Sequence, residues 1–209
     1  MIALRVTVPI ACFRKGFARE FWETEELPPP ATCYGFLLSL VGEQDRRRHV
    51  GVRVCPALLG RPERSAVLRT LWRVKKLPLG SPGNTRPDYQ EILTNVCLAI
   101  WLDSTEEIGT GPTLEDRVHT ALDHPERINR FGGLSLGEST HLVDEVTRLS
   151  VAPGDRARAY LLNDRGRLSL PVWVDHVGSA KTRYVSGDLV ETDVSAPNRD
   201  RMPRIEPLS

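Results

Sequence analysis

The 209-residue chain is 40% hydrophobic with a net charge of +1, long enough for one domain with an appendage or two small domains and apolar enough for a real core. That balance excludes a polycation, so any binding of nucleic acid must rest on local clusters of cations and not on pI. No run approaches the ~18 apolar residues of a membrane span, residues 1–9 lack the apolar core of a signal peptide, and Cys12, Cys33, Cys55 and Cys97 show no zinc spacing; a cytoplasmic protein without membrane contact, metal or cofactor is expected.

In chain order, residues 2–8 alternate and are rich in β-branched side chains, which predicts a strand. Pro28, Pro29 and Pro30 open an apolar run over 31–41 with Tyr34, Leu37, Leu38 and Val41 at helical spacing, closed by Gly42. Residues 50–59 form a second predicted strand. Residues 61–90 are irregular and basic. Residues 91–102 are apolar on both faces, as a buried central strand is. Thr113 then caps a helix with Asp116 as its capping-box partner, and Pro125 stops it. A fourth strand is predicted over 140–146. The order β-α-β-β-α-β predicts an α+β, ferredoxin-like (RRM-like) domain over 1–146, with a long excursion at about 61–90 between its second and third strands. From residue 147 short strands follow. Residues 157–162 and 167–174 flank a turn signal at 163–166 and predict a hairpin. The region 147–209 is therefore expected to be small and β-rich, with a mobile tail from Thr192.

Four features can carry chemistry. The loop at 130–139 (RFGGLSLGES) places Gly132, Gly133 and Gly137 between a helix and a strand, with Arg130 beside them. Successive backbone N–H groups in such a loop form a concavity that suits phosphate. The insertion at 61–90 holds Arg61, Arg64, Arg69, Arg73, Lys75, Lys76 and Arg86 against Glu63 and Asp88, with Trp72 and Tyr89 interleaved. Cations neutralise phosphates and aromatic faces stack unpaired bases; the plainer alternative is a solubilising hairpin. Residues 13–22 (FRKGFAREFW) alternate basic and aromatic side chains through Arg14, Lys15 and Arg19, again suited to single-stranded RNA, or to a surface loop tucked on the core.

The remaining feature is a scatter of histidines and tyrosines. Metal-independent RNA cleavage needs a base for the 2′-OH and an acid for the leaving oxygen. His141 and Tyr34 are the candidates if they face one cleft. Gly133, Ser135 and Gly137 also match G-x-S-x-G, the serine-hydrolase elbow, with Asp175 and His176 downstream. That elbow needs a strand before the serine and a helix after it, and the predicted order here is the reverse.

The first strand with Phe13 and Arg14, the proline-to-glycine segment 28–42 (PPPATCYGFLLSLVG) and the loop 131–139 together resemble the fifth CRISPR-associated (Cas) protein family, of the repeat-associated mysterious protein (RAMP) superfamily. The resemblance covers roughly residues 1–146, and the basic excursion at about 61–90 sits where that family carries its thumb hairpin. It implies a subunit of Cascade, the type I effector ribonucleoprotein complex of antiviral defence or RNA-guided DNA targeting. Such a subunit binds the 5′ handle of the CRISPR RNA and caps the backbone of RNA-binding subunits. It also abuts the large subunit, with target DNA near the protospacer-adjacent motif as a further contact. One branch of the family is itself the endoribonuclease that cuts precursor RNA, and carries a helix tyrosine and a Lys-His pair. Tyr34 matches the tyrosine, but no Lys-His dipeptide exists in this sequence. The expectation is a non-catalytic binder whose RNA contacts come from Arg14, Lys15, Arg19, Arg69, Trp72, Arg73, Lys75, Lys76, Arg130, Gly132, Gly133 and Gly137.

Overall fold

A computed structural model describes residues 1–16, 18, 21–72, 77–78, 80–152, 154–195 and 197–208, with Trp72 described by its backbone alone. Arg19, Arg73, Lys75 and Lys76 lie outside the described residues.

β1 (Ile2–Ala11) buries Ile2, Leu4, Val6 and Val8 and leaves Ala3, Arg5 and Thr7 half-buried, the alternation its sequence predicts. α1 (Pro30–Leu40) starts on Pro30, whose missing N–H costs nothing in the first turn. It ends in a Schellman motif: Glu43 N–H donates to Leu38 C=O at 2.8 Å and Gly42 N–H to Ser39 C=O at 3.2 Å. Gly42 has φ +67°, and a Cβ there would lie 2.3 Å from the Asn129 carbonyl oxygen, so turn and packing both require glycine. α2 (Leu114–Asp123) carries the expected Thr113–Asp116 capping box.

Both helices pack on one face of an antiparallel sheet, in a core with Leu4, Val6, Val8, Leu98, Ile100 and Leu102. Along the main path the strands run β6 (Glu145–Arg148), β1, β5 (Thr85–Asp103), β3 (Arg53–Leu58), β7 (Arg156–Leu162), β9 (Arg183–Asp193), β8 (Leu168–Trp173). β5 is 19 residues long and organises the rest. One edge of it takes β3 and then β4 (Glu63–Trp72); the other takes β1 and then, in parallel, the two residues of β2 (Phe21–Trp22). The upper half of β5 with β4 is the hairpin expected at 61–90.

Four expectations change. The fourth strand falls at Glu145–Arg148, because residues 134–143 fold back on themselves: Val143 N–H donates to Leu134 C=O and Leu136 N–H to His141 C=O. The strands after residue 147 extend the same sheet through Ala57↔Ala159 and Leu58↔Arg158. β7 and β8 do not form a hairpin, since β9 lies between them. Their turn passes over Gly187, where a Cβ on Gly166 would lie 2.3 Å from the Gly187 carbonyl oxygen. Finally, the tail is tied down. Ile205 N–H donates to Val52 C=O, Gly51 N–H to Ile205 C=O and Val54 N–H to Pro203 C=O, while Met202 and Ile205 are fully buried. Met202 and Val194 cover Cys55, Ala57, Ala99 and Trp101 on the sheet face away from the helices.

All four cysteines are free thiols. Among the described residues no helix is long and apolar enough to cross a membrane, and no cluster of His, Cys, Asp or Glu could hold a metal ion.

Candidate nucleic-acid interface

Three segments distant in sequence meet where β1 ends: the extension after it, the middle of the β4–β5 hairpin and the second half of the glycine loop. Their centre is Trp22. The guanidinium carbons of Arg14 and Arg69 stand 4.2 and 4.7 Å from its ring centroid, both within cation–π range. Arg69 also reaches Glu138 of the glycine loop at 3.1 and 3.2 Å and donates to the Gln90 side-chain oxygen. The buried Gln90 amide donates to the same Glu138 carboxylate at 2.8 Å. Arg14 further donates to the Ala18 carbonyl at 2.7 Å. These groups border a cleft of about 320 Å³ lined by Cys12, Phe13, Arg14, Trp22, Gly137 and Glu138, with Pro29 and Thr32 from the start of α1. The start of α1, which has no acidic residue in its first turn, turns its positive end to this cleft.

The glycine loop is held in this cleft by His141. Its Nδ1 accepts N–H groups from Cys12 and from Glu138, each at 3.2 Å, which places the ring proton on Nε2. Burial, opposed by Glu138 and assisted by Arg69, lowers the His141 pKa, so the neutral acceptor is the favoured form. Gly137 has φ +103°, and a Cβ on it would stand 2.8 Å from the Cys12 carbonyl oxygen. Its glycine is required by close approach to β1.

The positions expected to bind RNA separate accordingly. Arg14, Arg69 and Gly137 converge on the cleft. Lys15 lies nearby but pairs with Glu23 at 3.2 Å. Arg130 is half-buried and lines other grooves, with Leu38, Gly42 and Leu134. Gly132 has φ +77° in open space, and Gly133 is not left-handed, its nearest neighbour being Leu142. The three glycines of the loop therefore sit in different settings, and Phe131 beside them is wholly exposed. Trp22, Gln90 and Glu138 are not singled out by sequence, although Trp22 closes the basic-aromatic run.

Tyr34 is buried, and its hydroxyl donates to the Arg46 carbonyl at 2.8 Å. Burial first of all pushes its phenol well above the ordinary range. Asp175 accepts the N–H groups of Val177, Gly178 and Lys181, and those bonds hold its carboxyl down. Ser135 bridges Leu142 inside the folded-back loop, with no helix following it. The strand-turn-helix of a hydrolase elbow is absent at this serine.

No family model matches the chain. A curated relative, CRISPR-associated protein Cas5 of Myxococcus xanthus (strain DK1622), is 53% identical over 208 residues, 98% of this chain and 97% of that protein. Two solved structures share the fold. One, described as a CRISPR RNA-guided surveillance complex, has a TM-score of 0.60 at 15% identity, covering 91% of this chain and 89% of its own. Another, described as the crystal structure of a Cas protein, has a TM-score of 0.50 at 14% identity, covering 97% of each chain.

Proposed function

The chain belongs to the Cas5 family of CRISPR-associated proteins, and from that premise we propose that it is a non-catalytic RNA-binding subunit of a type I Cascade complex. In this reading it grips the 5′ handle of the CRISPR RNA, caps the backbone of RNA-binding subunits and abuts the large subunit. The βαββαβ run of β1, α1, β3, β5, α2 and β6, with sheet order β6-β1-β5-β3, is what a ferredoxin-like domain requires, and β4 with the upper half of β5 is its thumb. The observation that carries the proposal is the convergence of Arg14 and Arg69 on Trp22, beside Gly137 and the first turn of α1. Guanidinium groups beside a helix N-terminus suit a phosphodiester, and the Trp22 ring holds both arginines in place for it.

Three features support the non-catalytic part. The Tyr34 hydroxyl is buried and already donating, His141 spends its free lone pair on two backbone N–H groups, and the Lys-His pair of the cutting branch is missing. The test is fluorescence anisotropy with RNA bearing the host 5′ handle, across a salt series, with wild type and Arg69→Ala. The handle should bind more tightly than a scrambled RNA. The variant should flatten the slope of log K against log salt by about 0.7 for each phosphate that Arg69 neutralises. Equal affinity for the scrambled RNA would overturn handle recognition. Cleavage of precursor RNA in EDTA, abolished in His141→Ala, would replace the reading with an endoribonuclease.

A further inference from the structure

The side of the β4–β5 hairpin turned away from Trp22 carries a second arrangement that the cleft does not use. Phe21 pairs with Tyr89 in register, and Tyr89 with Leu68, so the three side chains form one row across β2, β5 and β4. They are 44%, 57% and 62% exposed, an unusual concentration of bare apolar surface for a chain only 6% aromatic. Successive residues of a strand point to opposite faces. Trp22 therefore belongs to the cleft face and Phe21 to the other, at the same sheet edge.

This row continues into a basic groove. Arg64 lies on the same side of β4 as Leu68, four residues and about 13 Å along the strand. With Arg61, Arg158, Pro62, Leu93 and Glu26 it lines a groove of about 370 Å³. Arg64 is tied by one arm to Glu91 at 2.9 Å, and Arg158 pairs with Glu26 at 2.8 Å. Arg61 is exposed and has no acidic partner among the described residues. The groove thus holds cations in excess of its carboxylates, and the two exposed rings lie farther along the same side of the hairpin.

We infer that this face is a second binding site for single-stranded nucleic acid. Bases stack on Phe21 and Tyr89, and the phosphates pass Arg64 and Arg61. A protein partner would be served by the apolar row alone; the adjoining arginines are what point to a polyanion with planar groups. The site is separate from the cleft, since it uses neither Arg14, Arg69 nor the glycine loop. A strand rounding the β2 edge can touch both faces.

The experiment uses the full chain and a single-stranded oligouridine carrying 5-iodouridine, with the matching deoxyoligonucleotide alongside. Photocrosslinked peptides are mapped by mass spectrometry in the wild type, in Arg69→Ala and in Phe21→Ala/Tyr89→Ala. Crosslinks to Phe21 or Tyr89 should appear in the wild type and persist in Arg69→Ala, which isolates this face from the cleft. Loss of both rings should weaken binding of the oligouridine about tenfold or more without changing its salt slope. Arg61→Ala/Arg64→Ala should lower that slope by about 0.7 for each phosphate these arginines neutralise, and Tyr89→Trp should bind as the wild type does. The inference is overturned if no crosslink maps to either ring and the double-ring variant binds normally, whatever Arg69→Ala does to handle binding. It is equally overturned if that variant binds RNA normally but is missing from the assembled complex, which would make the row a protein interface.

Discussion

The two halves of β5 are one strand in opposite settings. From Val96 to Leu102 it is closed on both faces: Leu98, Ile100 and Leu102 meet the helices, and Ala99 and Trp101 meet Met202 and Val194. From Thr85 to Ile92 it has only β4 and β2 beside it, and it displays Tyr89 on one side and Gln90, under Arg69 and Glu138, on the other. The halves meet at Asn95, whose φ of +55° is a conformation that asparagine tolerates better than most residues. Buried packing is concentrated below that point and the β5 residues of the proposed RNA interface lie above it, so a substitution should affect one or the other and seldom both.

The largest expected effect tests the lower half. Trp101→Ala, at a site 1% exposed, should cost about 3–5 kcal/mol in urea unfolding. Leu68→Ala, on the exposed half, should stay within about 0.5 kcal/mol. Similar costs for the two would dissolve the division. Next comes the glycine loop, where the structure separates residues that look alike in sequence. Gly137→Ala forces a Cβ against the Cys12 carbonyl in a left-handed backbone and should cost about 2 kcal/mol or more. Gly132→Ala, left-handed but in open space, should cost about 1 kcal/mol. Gly133→Ala meets only the flexible end of Leu142 and should cost least. If calorimetry ranks Gly133 first, the loop is not anchored where we place it.

Arg69→Ala sharpens the comparison from the upper half. It should weaken handle binding about tenfold, a hydrogen bond to a charged group being worth about 1.5–3 kcal/mol, while its melting temperature moves little. A large fall in melting temperature with unchanged RNA affinity would make Arg69 a structural residue. The smallest effect is in pH. Because burial lowers the folded pKa of His141, the unfolded chain takes up its proton first on acidification. Its contribution is therefore fully present above about pH 6.5 and declines as pH falls through the folded value. His141→Ala should remove that part of the slope; an unaltered pH profile would show that the imidazole does not clamp the loop.

What could be read from sequence followed from how local each signal is. Pro30 and Gly42 delimit α1, Thr113 and Asp116 cap α2, and unbroken apolarity marks the lower half of β5; each acts within a few residues. The insertion of β9 between β7 and β8 was not legible, because it depends on Gly166 meeting Gly187 across the sheet. The docked tail was missed because Met202 and Ile205 are two isolated apolar residues in a charged stretch. At the site, residue type singled out Arg14, Arg69 and Gly137. The bonds linking Arg69, Gln90 and Glu138 join positions 21 to 69 residues apart, and no local pattern announces them. Arg130 and Gly133 were grouped with Gly137 by proximity in sequence, whereas Arg130 lines grooves with Leu38 and Leu134, and Gly133 lies against Leu142.

The anchored tail also bears on how the molecule is made. The Arg53 guanidinium donates to the Met202 carbonyl across 149 positions, and Val52 and Val54 pair with Ile205 and Pro203 over similar spans. During translation β3 emerges early, yet its flank and the Trp101 face remain bare until residues 202–205 leave the ribosome. Contacts of such high order are slow to form, and until they do the nascent sheet shows Cys55 and Trp101 to solvent or to another copy. A refolding experiment should find that truncation before Met202 slows closure and promotes aggregation well before it abolishes secondary structure.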